Sequence, residues 1–340
     1  MRTPFRYGGL ALASMMLLAT GPSAPKAQRS LSPISVTVEA KEIAAFDPAN
    51  PSKQRFGSLV FRGGLVLTAK ERFFGGFSGL HIFPNGENFI AHSDRGMWLR
   101  GKFKRDGDRI AGIENAEMAP MRGPNGKPLA SLGWFDTESL TADGDTLYVG
   151  IERANQIVRF RYGAEGLGAL GIPLNVPNGI RELPHNQGLE ALAFVPKGMP
   201  LAGSLLALSE RGLDENGNIK AFILGGATPG SFSVKRSNNF EISDAAIAPS
   251  GHLILLERYF TFLSGIHMRI RAIPLGEIKP GALADGRVLI EAGPSYEIDN
   301  MEALAITRNE KGETIFTLLS DNNFNSFQRT ILLRFAWIEP

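Results

Sequence analysis

Glu190-Ala191-Leu192, a turn at Pro196-Lys197-Gly198, and a second apolar run ending Ser209-Glu210-Arg211-Gly212 decide the fold. Two apolar runs joined by a glycine turn are the signature of a β-hairpin. The same pattern recurs on either side. Upstream, Glu138-Ser139-Leu140 turns at Asp143-Gly144 and ends Ile151-Glu152-Arg153. Before that, Phe77-Ser78-Gly79-Leu80 turns at Pro84-Asn85-Gly86 and ends Ser93-Asp94-Arg95-Gly96. Downstream, Asp244-Ala245-Ala246 turns at Pro249-Ser250-Gly251 and ends Leu256-Glu257-Arg258. Last, Glu302-Ala303-Leu304 turns near Asn309 to Gly312 and ends Ser320-Asp321-Asn322.

The five copies recur every 52 to 60 residues or so, and third strand-like runs follow the hairpins, as at Gln156 to Tyr162, Asn218 to Leu224, Met268 to Pro274 and Thr330 to Phe335. Several short strands per unit at that period suit propeller blades. No amphipathic helix of ordinary length interrupts them, which excludes a βαβ organisation. The fold class is therefore all-β, a β-propeller. Six blades are expected: five from the visible repeats and a sixth from N-terminal strands in Ser35 to Thr68, closing on the C-terminal segment, with seven as the alternative count. Closure between chain ends leaves no exposed sheet edge.

In an antiparallel hairpin the start of the first strand lies beside the end of the second. Glu138 is thus expected near Glu152, Glu190 near Glu210, Glu302 near Asp321, and Asp244 near Glu257, with Ser78 replacing the acid beside Asp94. Because all blades point the same way, these residues converge on one face. Arg95, Arg153, Arg211 and Arg258 each follow the second acid directly. Carboxylates this dense repel one another unless a cation or an arginine neutralises them. One reading places Ca2+ among the oxygens, with forked guanidinium groups holding an anionic substrate. The other lets acids and arginines neutralise one another and tie blades together. On the first reading Glu138, Glu190 and Glu302 are the catalytic candidates, Arg95, Arg153, Arg211 and Arg258 bind substrate, and Asp94, Glu152, Glu210, Asp244, Glu257 and Asp321 hold metal.

The chain has 340 residues and no cysteine, which excludes disulfides, thiolate metal sites and a cysteine nucleophile. A formal charge of +2 without blocks of like charge leaves no electrostatic footprint for nucleic acid. Arg2 and Arg6, the apolar run Leu10 to Ala19 and the small residues and prolines from Gly21 to Ala27 read as a signal peptide over residues 1–27. A propeller domain over 28–340 follows. The expectation is a periplasmic or secreted protein, soluble once the leader is removed and monomeric, with a retained N-terminal anchor as the alternative.

Four stretches resemble the bacterial phytase-like (esterase-like) propeller family. They are Phe74-Gly75-Gly76-Phe77-Ser78-Gly79-Leu80 with Ser93-Asp94-Arg95-Gly96, Asp136-Thr137-Glu138-Ser139-Leu140 with Glu152-Arg153, Leu183-Pro184-His185-Asn186-Gln187-Gly188-Leu189-Glu190 with Ser209-Glu210-Arg211-Gly212, and Asp299-Asn300-Met301-Glu302-Ala303-Leu304 with Ser320-Asp321-Asn322. The resemblance implies an exported propeller that hydrolyses phosphate or carboxyl esters. More distantly, the chain is similar to calcium-dependent propeller phytases, whose acidic clusters hold several Ca2+ ions. Those use denser acid pairs than the single acid at each strand end here.

Other motifs carry less. Gly166-Leu167-Gly168-Ala169-Leu170-Gly171 fits a dinucleotide pattern, but no helix follows to receive a phosphate. Gly76-Phe77-Ser78-Gly79 falls short of a nucleophile elbow. The five histidines lack zinc-site spacing, and His92 reads as a packed side chain. The Gly- and Pro-containing stretch Met118 to Trp134 is a candidate lid or a solvated insertion. The leading expectation is a cation-assisted hydrolase of small anionic esters. Its rivals are a non-catalytic propeller that binds an envelope or extracellular ligand, and a lactonase-like hydrolase with one central Ca2+. Unpaired acids within metal-ligand distance would favour an enzyme; full arginine pairing would favour the binding module.

Overall fold

A computed structural model of the protein describes residues 31–339. The signal-peptide stretch, residues 1–27, lies outside the described residues. Among the described residues, five mainly antiparallel sheets form a ring, and their innermost strands are Phe77–Ile82, Thr137–Asp143, Leu189–Phe194, Glu241–Ala248 and Asn300–Arg308. Each innermost strand packs on the next, and the fifth packs on the first. The chain is a β-propeller of five blades.

The expected sixth blade is not formed. The N-terminal strand material lacks a hairpin of the repeat type and joins existing blades instead. Leu59–Ala69 pairs along Thr330–Trp337 and Val38–Ile43 pairs with Leu59–Ala69, so two N-terminal strands join the C-terminal strand in blade five. Ile34–Ser35 adds to the outer edge of blade one at Arg109–Pro120. This pairing satisfies backbone groups at what would otherwise be open edges.

Period-two alternation assigns side chains to the interfaces between blades. In the second strand of blade three, Leu206 and Leu208 enter the core shared with blade four, while Leu205 and Ala207 enter the core shared with blade two. Five buried apolar clusters result, one at each contact between neighbouring blades, and the cluster holding Leu65, Phe77 and Leu319 closes the ring between blades five and one. Truncating Leu206 or Leu208 to alanine is expected to cost about 2–5 kcal/mol.

Among the described residues helix is confined to short pieces, of which Tyr162–Glu165 and Asn178–Arg181 are α-helical turns. Among the described residues no helix is long and apolar enough to cross a membrane. The stretch after Pro120 does not line the acidic cavity described below: Met121 and Leu129 are buried between blades one and two. His92 is also wholly buried there. Its Nε2 lies 3.1 Å from the Ser139 carbonyl oxygen, and burial pushes its pKa down to about 4.

Candidate functional site: an acidic cup at the channel mouth

Each innermost strand carries one extra residue opposite the end of its hairpin partner. In blade three Leu189 pairs with Ser209 and Ala191 with Leu208, so Glu190 is the bulged residue. The equivalents are Ser78, Glu138, Ser243 and Glu302. A bulge re-aims the side chain it carries. The next position on the second strand is Asp94, Glu152, Glu210, Arg258 or Asp321 in blades one to five. These positions lie at the channel mouth, and all but the blade-four guanidinium are acids.

The register corrects the sequence alignment in blade four. The repeat spacing sets Asp244 and Glu257 beside the acids of the other blades, but the equivalent positions are Ser243 and Arg258. A one-residue slip moves a strand side chain to the opposite face. Asp244 is fully buried, and its carboxylate accepts the backbone N–H groups of Ala245 and Leu304, both at 2.7 Å. Glu257 is buried between Arg269 Nε at 2.7 Å and Arg271 Nη2 at 2.6 Å. Neither lines the acidic cavity. Asp244 ties blade four to blade five through Leu304, and Glu257 ties two strands of blade four to each other.

That cavity has a volume of about 260 Å3. Eight carboxylates line it: Asp94, Asp136, Glu138 and Glu152 from blades one and two and the loop between them, with Glu190, Glu210, Glu302 and Asp321 from blades three and five. Arg153 and Arg258 are the guanidinium groups in the lining, and Asn186, Gln187 and Asn323 complete it. Of the sequence candidates, Arg95 stacks at 3.5 Å on the Phe324 ring, and Arg211 pairs with Glu241 in an adjoining cavity. Asp136 and Asn323 were not singled out. Their backbones show what places them: Asp136 and Asn323 have φ of 63° and 47°, and Gln187 has φ of 69°. Asp and Asn tolerate this left-handed region best. Backbone strain of this kind gathers at functional sites.

The acids differ in what they meet. Arg258 Nη2 lies 3.0 Å from Glu210 Oε1, and its Nη1 lies 3.2 Å from Glu302 Oε1. Asp136 pairs with Arg153. Glu152 accepts the Gly188 N–H at 2.9 Å. Among the described residues, no protein hydrogen bond reaches the Glu138 or Glu190 carboxylate, and Asp94 Oδ1 is buried without a partner.

Crowding and burial make these groups hold protons. Burial, with Glu210 and Glu138 nearby, pushes Glu190 well above the usual carboxylate range. Burial, with Glu302, Asp136 and Asp94 nearby, raises Glu138 well above that range as well. Burial raises Glu210 to about 7 against the pull of Arg258, and raises Asp321 to about 8 with help from Glu302. Asp94 rises to about 6, chiefly by burial and against the pull of Arg95. Burial works against charge on Arg258, but Glu302, Glu210, Glu190 and Glu138 outweigh it and raise its pKa.

One oxygen from each of Glu152, Glu190 and Glu210 lies within 4.8 Å of the other two, and all three residues are buried. An all-oxygen donor set suits a hard cation such as Ca2+, whose ligand distances of roughly 2.3–2.6 Å match that spread. The unpartnered Asp94 oxygen and the raised carboxylate pKa values mark a site short of positive charge. The residues therefore fit the cation.

No curated protein matches the chain. Among solved structures it is similar to an endo-arabinase from Bacteroides thetaiotaomicron, at 13% identity and TM-score 0.45 over 78% of this chain and 94% of that one. It is also similar to the PQQ-bound aldose sugar dehydrogenase of Streptomyces coelicolor, at 13% identity and TM-score 0.38 over 88% of this chain and 98% of that one. The family model described as phytase-like, esterase-like activity of phytase, matches residues 72–324, most of the propeller including every acid of the cup, and the chain belongs to that family.

Proposed function

We propose that the protein is an exported hydrolase of phosphate or carboxyl esters that works with a divalent cation, Ca2+ by the chemistry of its donors. The observation that carries this reading is the meeting of Glu152, Glu190 and Glu210 oxygens within 4.8 Å inside a cup whose acids outnumber its arginines. A cup built only to tie blades together would pair each acid; Glu138 and Glu190 have no arginine within ion-pair distance among the described residues. Export rests on the leader sequence.

Glu152, Glu190 and Glu210 would hold the cation. When bound, it would polarise the ester oxygen and make water a better nucleophile. Asp94, raised to about 6 and with an unpartnered oxygen, is suited to take a proton from that water near neutral pH. Glu138 from blade two and Glu302 from blade five line the same cavity. Arg153 at the rim would hold the anionic group, with Arg211 next to it in the adjoining cavity.

The test is hydrolysis of a nitrophenyl phosphate and a nitrophenyl acetate with millimolar calcium and with chelator. Calcium-dependent turnover of either ester, lowered roughly 10²–10⁴-fold in Asp94→Asn, is expected for a lost general base. Calcium binding without turnover of either ester would leave a binding module and sink the enzyme.

A further inference from the structure

Arg334 lies in the third strand of blade five, between Leu333 and Phe335 of the core. It is 6% exposed. Its Nη1 donates to the Asp108 carbonyl oxygen at 3.1 Å, and its Nε is buried without a partner. Among the described residues, no carboxylate comes within ion-pair distance of it. A buried guanidinium without a counter-charge is costly. Burial and the neighbouring Arg105 push its pKa down to about 10, against the pull of Asp108.

The guanidinium borders a cavity of about 290 Å3. Four other cations line it, and each already has an acid: Lys53 with Asp47 at 3.8 Å, Arg109 with Glu42 at 2.8 Å, Arg62 with Glu313, and Lys311 with Asp108. Room exists beside Arg334. Its register partner is Gly63, next to the bulged Arg62; Gly63 has φ of 112°, and a Cβ there would meet nothing within 4 Å. The cavity is walled by the turn between the first two strands of blade five and the turn that follows Asp106 in blade one. These turns are at the strand ends opposite the acids, so the cavity opens on the face away from the acidic cup.

We propose that this cavity is a binding site for a compact oxyanion, the phosphate or carboxylate group of a small solute, with Arg334 as its fixed anchor and Lys311 and Arg62 at its rim. A guanidinium fork matches two oxygens of such a group. The pair Lys311–Asp108 is solvent-exposed and Arg62–Glu313 is half-exposed, so both can exchange partners at modest cost. The site is independent of the ester-hydrolase reading.

The experiment is melting of the calcium-free protein in inorganic phosphate, sulfate or acetate against sodium chloride of equal ionic strength. A ligand that binds the native state raises the melting temperature. Phosphate is expected to raise it for the wild type. Arg334→Met is expected to melt higher than the wild type in chloride, because a lone buried charge is gone, and to show no rise with phosphate. Lys311→Ala is expected to keep the chloride value and to bind phosphate several-fold more weakly. A response to phosphate and sulfate alone identifies a tetrahedral anion, and a response to acetate identifies a carboxylate. No anion-specific rise in the wild type overturns the proposal, as does a rise undiminished in Arg334→Met. Should that variant not fold, an undiminished rise in the double variant Arg62→Gln, Lys311→Ala overturns it equally.

Discussion

Arg258 occupies in blade four the place that Glu210 occupies in blade three, and its Nη2 meets Glu210 Oε1 at 3.0 Å. The cup thus carries its own cation where a fifth acid of the ring pattern would stand. Arg258→Met leaves Glu210 and Glu302 without that charge. Breaking a buried pair costs roughly 3–5 kcal/mol, and partial exposure of Arg258 favours the lower end. Urea denaturation without calcium is expected to show this loss, and saturating calcium to shrink it. An equal loss with and without calcium would mean that no cation replaces the guanidinium charge.

Asp94, Glu210 and Asp321 give the pH dependence. Their ordinary values of 3.8, 4.5 and 3.8 rise to about 6, 7 and 8 in the folded protein. From about pH 4 to 8 the native state keeps protons that the unfolded chain has lost, so stability falls as pH rises. The contribution is fully present below the unfolded values and is gone above about pH 8. Melting in chelator is expected to fall across this window. Calcium, which competes with those protons, is expected to flatten the curve. A chelator curve that rises with pH would contradict the protonated cup.

The repeat was legible because each hairpin is written in local residues: an acid or serine, an apolar run, a glycine turn, and a second run ending in Asp or Glu. That pattern placed Glu138, Glu190, Glu302, Asp94, Glu152, Glu210 and Asp321 together. Blade count was not legible, because Leu59–Ala69 has the same apolar character whether it starts a new blade or pairs with Thr330–Trp337. Blade four misled by one residue. Asp244-Ala245-Ala246 mimics Glu190-Ala191-Leu192, yet the bulge falls on Ser243, whose hydroxyl donates to the Met301 carbonyl at 3.0 Å. Only the pairing register shows that Glu257 turns towards Arg269 and Arg271 on the next strand of its own blade while Arg258 faces the cup.

Arg211 tests the rim. Its half-exposed guanidinium pairs with Glu241, a buried acid that Arg236 also reaches at 3.4 Å and that therefore keeps a partner when Arg211 is lost, and it lines the cavity beside the cup. Exposed pairs contribute roughly 0–1 kcal/mol. Arg211→Ala is therefore expected to leave urea stability within that range and to raise KM for the phosphate ester several-fold, with little change for the neutral acetate ester. Equal effects on both esters would remove Arg211 from anion recognition.

Glu190 and Glu257 are buried glutamates of similar appearance in the sequence and of opposite consequence. Glu190 is crowded by Glu210 and Glu138 and held far above its ordinary pKa by burial, so Glu190→Gln relieves repulsion. It is expected to raise the melting temperature of the calcium-free protein near pH 8 and to lose most of the calcium-dependent rise. Glu257 holds two guanidinium groups that are each 2% exposed. Glu257→Gln strands both charges in the interior, with an expected cost of roughly 3–5 kcal/mol. Because Glu257 does not line the cup, the calcium-dependent rise should survive in whatever fraction folds. Melting of the two variants side by side, with calcium and with chelator, separates an acid that waits for a cation from one that already has its partners. Destabilisation of both variants to the same degree would show that Glu190 is a structural tie and would remove the central ligand from the cup.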